Sequence, residues 1–261
     1  MFSAETYAKR RAELRRRIGS GLILLPGNYE APMNYPNNAY NFRQDSTFLY
    51  FFGQSLPALA GVIDADSGAE TLYGDDFTVE DIIWMGPQPS VADLAAEVGV
   101  SQSRPMAALA ADLRHALAQG RKVHYLPPYR GETALQLSQL LGIVPSMVHD
   151  RMSLDLLFAV AEMREVKSDE ELACIEEAFN IGYHMHTTAM RLCRAGRSEH
   201  EIAGAVDGVA MSYGTGVSFA TILSQHGEVL HNHDHSGTLE SGRLLLCDAG
   251  GEHVNGYVSD H

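Results

Sequence analysis

Short apolar runs and helical periodicities alternate along the first 160 residues. The run Gly21-Leu-Ile-Leu-Leu25, stopped by Pro26-Gly27, predicts a buried strand followed by a turn. Residues 47–52 are aromatic-rich and end at Gly53, which predicts a further strand. Residues 60–64 and 70–73 flank Asp66-Ser-Gly68 and predict a hairpin. Residues 91–99 and 106–119 predict helices, and residues 123–126 predict a strand ended by Pro127-Pro128. The Asn- and Pro-rich residues 28–41 predict a loop. Near the start, Lys9, Arg10, Arg11, Arg15, Arg16 and Arg17 predict the solvated face of a first helix.

The pattern changes after residue 163. Ser168-Asp-Glu-Glu171 is a capping box, in which a Ser and a Glu three residues on satisfy each other's orphan N–H groups. Behind it Leu172, Ile175, Phe179, Gly182, Met185, Ala189 and Leu192 recur every three or four residues, predicting one apolar face of a long helix closed by Gly196. Ser198-Glu-His-Glu201 is a second capping box, opening a helix to about Tyr213. Residues 219–223, 243–247 and 254–258 then predict strands. A boundary near Met163 divides the chain into 1–163 and 164–261. The first part carries 13 basic and 18 acidic residues and the second 6 and 15, so the smaller part is the more acidic.

Composition narrows the partners. The 261 residues carry a formal net charge of −14, which argues against nucleic acid and against an anionic membrane surface. No run approaches the ~20 apolar residues of a membrane span. The start of the chain lacks the apolar stretch of a secretory signal. Three cysteines (Cys174, Cys193, Cys247) without CxxC spacing suit a reducing cytoplasm rather than a disulfide framework.

Candidate chemistry gathers late. Six of the 12 histidines lie in the last 36 residues, beside Asp248 and Asp260. Imidazole and carboxylate together are the donors that ions such as Mn²⁺, Co²⁺ and Zn²⁺ accept. Leu244-Leu-Leu-Cys-Asp248-Ala-Gly250 reads as a strand delivering an Asp into a Gly turn, and Asn255-Gly-Tyr-Val-Ser-Asp260 as a second strand delivering another. A hairpin would bring both carboxylates to one place, where they repel unless a cation or proton lies between them. Other readings stay open. Asp before Ala-Gly also serves as a turn residue, and Asn-Gly is a hairpin signal in its own right. His231-Asn-His-Asp-His235 is either one face of a strand or a polar loop.

Taken together, these segments resemble the aminopeptidase P, prolidase and creatinase group of pita-bread metallopeptidases. Met163-Arg-Glu-Val-Lys-Ser-Asp-Glu-Glu171 is similar to the entry into that group's catalytic domain. His231 lies 17 residues before Asp248, and Asp248-Ala-Gly-Gly-Glu252 and Gly256-Tyr-Val-Ser-Asp260 resemble its paired metal-aspartate segments. Arg10-Arg-Ala-Glu-Leu14, Leu24-Leu-Pro-Gly27, Phe42-Arg-Gln-Asp-Ser-Thr-Phe48 and Trp84-Met-Gly86 resemble the amino-terminal domain of aminopeptidase P. The resemblance implies an α/β (α+β) fold, with an N-terminal mixed sheet and flanking helices in 1–163. The first part of a pita-bread catalytic domain would follow in 164–261.

The resemblance further implies removal of an N-terminal residue from short peptides with proline in second position. Two divalent ions, usually Mn²⁺, would form the centre, with Asp248 coordinating one ion and Asp260 bridging both. His231 would hydrogen-bond the substrate, and Trp84 would control access near a neighbouring subunit in a cytoplasmic homodimer or homotetramer. Arg43 and Asp45 would form a local ion pair that stabilises the first domain. Two features depart from the family pattern. The aspartates are 12 residues apart, one more than its usual interval, which places an extra residue at the hairpin tip. The family's remaining ligands, one His and two Glu, lie downstream of its second Asp, so this chain is expected to be the front part of a longer enzyme and inactive alone. A prolidase acting on X–Pro dipeptides and a non-catalytic peptide-binding relative are the rival readings.

Overall fold

The computed structural model describes residues 1–261. Helix α1 (Ala4–Ile18) starts where the Ser3 hydroxyl accepts the Thr6 amide and ends at Gly19. There follow β1 (Leu22–Pro26), α2 (Ser46–Phe52), β2 (Ala60–Asp64), β3 (Glu70–Tyr73), α3 (Val79–Met85), α4 (Val91–Glu97), β4 (Gln102–Arg104), α5 (Met106–Ala118), β5 (Val123–His124), α6 (Gly131–Leu141) and α7 (Leu154–Glu165). The chain divides into two compact units, Phe2–Val166 and Lys167–His261, and the division falls just after α7.

The first unit is built on one sheet in the order β4-β3-β2-β1-β5. Neighbours β1–β2 and β2–β3 are antiparallel, while β1–β5 and β3–β4 are parallel, so the sheet is mixed. Successive side chains on a strand point to opposite faces, and β1 is buried on both. Ile23 and Leu25 join Tyr7 and Leu14 of α1, Phe48, Phe51 and Phe52 of α2, Leu94 of α4 and Leu156 of α7 in one core. Leu22 and Leu24 join Leu109 and Leu113 of α5 and Leu137 of α6 in the other. A mixed sheet with flanking helices is thus the observed architecture.

Residues 47–52 form a helix, not the expected strand. The Asp45 carboxylate accepts the Thr47 and Phe48 amides and caps it, and Gly53 in the left-handed region stops it. Thr47, Phe48, Phe51 and Phe52 are all buried, which is helical spacing. The basic segment of α1 is a second correction. Arg10 and Arg11 are buried, and with Tyr7 and Leu14 they form the inward stripe. The Arg11 guanidinium donates to Glu70 Oε2 (2.7 Å), to the Phe51 carbonyl (2.9 Å) and to the Val98 carbonyl (2.8 Å).

The second unit opens with α8 (Asp169–Leu192) behind the Ser168–Glu171 capping box, followed by α9 (Glu199–Ser212) behind Ser198 and Glu201. The inward stripe of α8 is Glu171, Cys174, Ala178, Ile181, Gly182, Met185 and Ala189. Leu172 and Phe179, expected on that stripe, are exposed. The helix also stops at Leu192, four residues before Gly196. Strands β6 (Ile222–Ser224) and β7 (Leu246–Asp248) pair antiparallel and are shorter than expected. Residues 254–256 form a turn rather than a strand. Leu223 and Ala249 pack with Ile181, Met185, Ile202 and Val206 of the two helices. No helix is long and apolar enough to cross a membrane.

Candidate metal centre

Asp248 is the last residue of β7 and lies opposite Ile222 on β6. Its neighbours Cys247 and Ala249 face the α8–α9 core, so Asp248 points to the other face of the ladder. The chain then runs Ala249-Gly250-Gly251 and returns. The Ala249 amide donates to the His261 carbonyl (3.1 Å), the Ser259 amide to the Gly251 carbonyl (3.0 Å), and the His253 amide to the Tyr257 carbonyl (2.7 Å). These bonds set an antiparallel register in which Gly250 faces Asp260 and Glu252 faces Val258. Residues directly opposite share a face, and so do residues two apart on one strand. Asp248 and Asp260 are therefore diagonal neighbours on one face. Gly250 lets the strands meet, because a Cβ there would collide with the Ser259 backbone.

The 12-residue interval is absorbed at the tip. The segment 253–257 closes the turn, with Gly256 at φ 80°. The ladder on either side of it stays in phase.

Polar satisfaction around the first carboxylate is incomplete. Asp248 Oδ1 is fully buried and has no hydrogen-bond partner, whereas Asp260 is exposed. A buried carboxylate oxygen without a donor costs about 1–3 kcal/mol or more, and a bound cation removes that cost. The donor set is hard oxygen, suited to a divalent ion. These two carboxylates make only a partial shell, since no three His, Cys, Asp or Glu side chains come together to hold an ion. Beside them, burial and the Asp248 charge push the Cys247 thiol up to about 11. All three cysteines are free.

His231 is exposed in the turn that follows β6, within the connection 225–245. His233 is exposed as well, while His235 donates Nδ1–H to the Leu223 carbonyl at 3.0 Å. The polar-loop reading of residues 231–235 is the one seen. Trp84 belongs to the first unit, on α3, and is 79% exposed. Arg43 donates to the Ser46 hydroxyl while Asp45 caps α2.

Two residues near these segments carry no motif in the sequence. His186 on α8 donates Nε2–H to the carbonyl of Ala249, next to Asp248 (3.1 Å). Glu199, the first residue of α9, is only 3% exposed. His186 adjoins the buried Met185, a place where a polar residue needs a partner. Glu199 sits beside a recognisable N-cap, but nothing local says that it turns inward.

Residues 7–125 match the family model for the aminopeptidase P N-terminal domain, and residues 173–261 match metallopeptidase family M24. The chain thus carries an aminopeptidase P-type N-terminal domain followed by a segment of a metallopeptidase family M24 domain. Its relatives include a probable Xaa-Pro aminopeptidase of Aspergillus fumigatus, 28% identical over 249 residues that make up 93% of this chain and 49% of the relative. The Xaa-Pro aminopeptidase of Escherichia coli is 27% identical across 99% of this chain and 61% of its own length. The chain thus spans about half to three fifths of these aminopeptidase P relatives. Aminopeptidase P of E. coli in a low-pH form superposes over 100% of this chain with a TM-score of 0.82 and 25% identity, covering 61% of that structure. Pseudomonas aeruginosa aminopeptidase PepP has the same fold, with a TM-score of 0.83 at 21% identity over 99% of this chain and 61% of its own.

Proposed function

We propose that this chain is the front part of a metal-dependent Xaa-Pro aminopeptidase that releases the first residue from short peptides with proline second. The observation that carries it is the buried, unpartnered Oδ1 of Asp248, on the same face of the ladder as Asp260. Asp248 and Asp260 are the two ligands this chain contributes. The family resemblance implies three further ligands, one His and two Glu. A pair of Mn²⁺ ions, when bound, would activate water and balance charge on the scissile carbonyl.

The protein's own groups do the rest. The X–Pro bond has no N–H, so a site for it recognises the carbonyl and the free amino terminus rather than the amide proton. His231, exposed on its loop, is free to hydrogen-bond the substrate beside that carbonyl. The first unit does no chemistry. Its helix α3 exposes Val79, Ile83, Trp84 and Met85, an apolar face suited to covering by a second copy in a cytoplasmic homodimer or homotetramer.

The test uses the full reading frame and the 261 residues in parallel, with Mn²⁺ titration by calorimetry and hydrolysis of an X-Pro tripeptide and an X-Pro dipeptide. The full-length protein is expected to bind Mn²⁺ and cleave the tripeptide, and Asp248→Asn to lose both. Cleavage of the dipeptide alone would make it a prolidase. Metal-independent binding without cleavage would make it a peptide-binding relative.

A further inference from the structure

The residues between β6 and β7 hang on the start of α9. The Glu199 carboxylate, buried, accepts the Gln225 amide through Oε1 at 2.7 Å, at the point where the chain leaves β6. The backbone amides of the same helix start hold the other side of the loop. Glu199 N–H donates to the Gly237 carbonyl (2.9 Å) and His200 N–H to the His235 carbonyl (3.0 Å). Gly237 lies against the same carboxylate, since a Cβ there would come within 2.8 Å of Glu199 Cδ and 2.9–3.0 Å of its oxygens. One residue therefore closes the neck of the loop 225–237 from both sides. His231 is its midpoint, six residues from either neck residue. Inside the loop, Asp234 accepts the Ser236 amide and hydroxyl, and Asn232 accepts the Asp234 amide, so the loop's second limb has shape of its own.

We infer that Glu199 is a positioning residue for the reaction: it touches no substrate and holds the loop that presents His231. The inference rests on the reading of His231 as a substrate contact. Its physical basis is the neck. A loop of 13 residues fastened at both ends to one helix start has few ways to move its apex, and a loop released at one end has many. The carboxylate matters because a hydrogen bond to a charged acceptor is roughly twice as strong as a neutral one.

The test compares Glu199→Gln, Gly237→Ala and His231→Ala in the full-length protein, together with the Glu199→Gln/His231→Ala double variant. Glu199→Gln keeps the side-chain shape and weakens the bond. Gly237→Ala pushes on the same carboxylate from the loop side, at a backbone conformation that alanine accepts. Both are expected to leave the thermal melt and Mn²⁺ affinity within the wild-type range, to raise amide exchange in residues 226–237 at least tenfold, and to lower kcat/KM for an X-Pro tripeptide about tenfold. In the His231→Ala background Glu199→Gln should cost nothing further, because the residue acts through the histidine. Multiplicative losses, or unchanged exchange in both neck variants, would overturn the inference. Wild-type kinetics for His231→Ala together with tenfold faster loop exchange in the neck variants would leave the clamp standing. The assignment of His231 would then fall, and with it the positioning role.

Discussion

At the scale of single residues, Arg11 shows how a charge becomes part of a core. Its guanidinium is fully buried, and burial lowers its pKa while Glu70 opposes that shift. The three acceptors around it, Glu70, Phe51 O and Val98 O, match a planar fork that a lysine cannot reproduce. Arg11→Met is expected to destabilise the first unit by about 3–5 kcal/mol, because it leaves two bare carbonyls in the core and takes the partner from the partly buried Glu70. Urea unfolding checks this, and a loss below about 1 kcal/mol would show that water replaces the guanidinium.

His124 makes a different use of burial. Its Nε2–H donates to the Ser20 carbonyl (3.1 Å), so Nδ1 accepts from the Ser153 hydroxyl (2.7 Å), which also caps α7. Burial first, and the Lys122 charge second, hold its pKa below the ordinary value, while Ser20 and Asp155 act the other way. The folded state therefore binds fewer protons than the unfolded one. The stabilisation is present above the unfolded pKa of about 6.5 and is lost as pH falls below it towards the folded value. Urea melts at pH 8 and pH 5.5 should show a larger acid loss for the wild type than for His124→Asn. Equal losses would mean that other groups set the acid limb.

Among the elements, α1 and α2 show what periodicity can and cannot reveal. The stripe Tyr7, Arg10, Arg11 and Leu14 has helical spacing, but counting positive charges places it in water. Only Glu70 and two carbonyls, brought in by tertiary folding, turn it inward. In α2 seven residues hold too few turns to separate a period of 3.6 from one of 2, and the aromatic residues lean towards a strand. The Asp45 cap decides it. The capping boxes of α8 and α9, by contrast, are local hydrogen-bond systems and are legible from the residues alone. Helix α3 has no buried residue, so no inward stripe marks it. Its exposed Ile83 and Trp84 carry the next expectation. Ile83→Asp with Trp84→Ser should shift a sedimenting oligomer towards the monomer without lowering the monomer's melt. Unchanged sedimentation would rule out α3 as the contact.

Over the whole molecule, the carboxylate pair was legible because strand, glycine turn and returning strand are short-range instructions. The Glu199 neck was not, because it joins residue 199 to residues 225 and 237 through packing rather than pattern. The exposed residues 166–168 after α7 lie where the two units divide. Limited proteolysis is expected to cut there first, and earlier cutting inside 45–90 would contradict two separately folding units.

The buried arginine also has a consequence for synthesis. Its acceptors lie as far along as residue 98, and the core around α1 is completed only by Leu156, Ala159 and Val160 of α7. At ~5–20 residues per second, the ribosome needs roughly 7–30 s to travel from residue 11 to residue 160. For that interval helix α1 has no complete core to join. Leu14 and Tyr7 stay open to chaperones, and the guanidinium that will be the driest cation of its unit stays in water. Helix α1 emerges ahead of the rest of its unit and is among the last parts of that unit to fold.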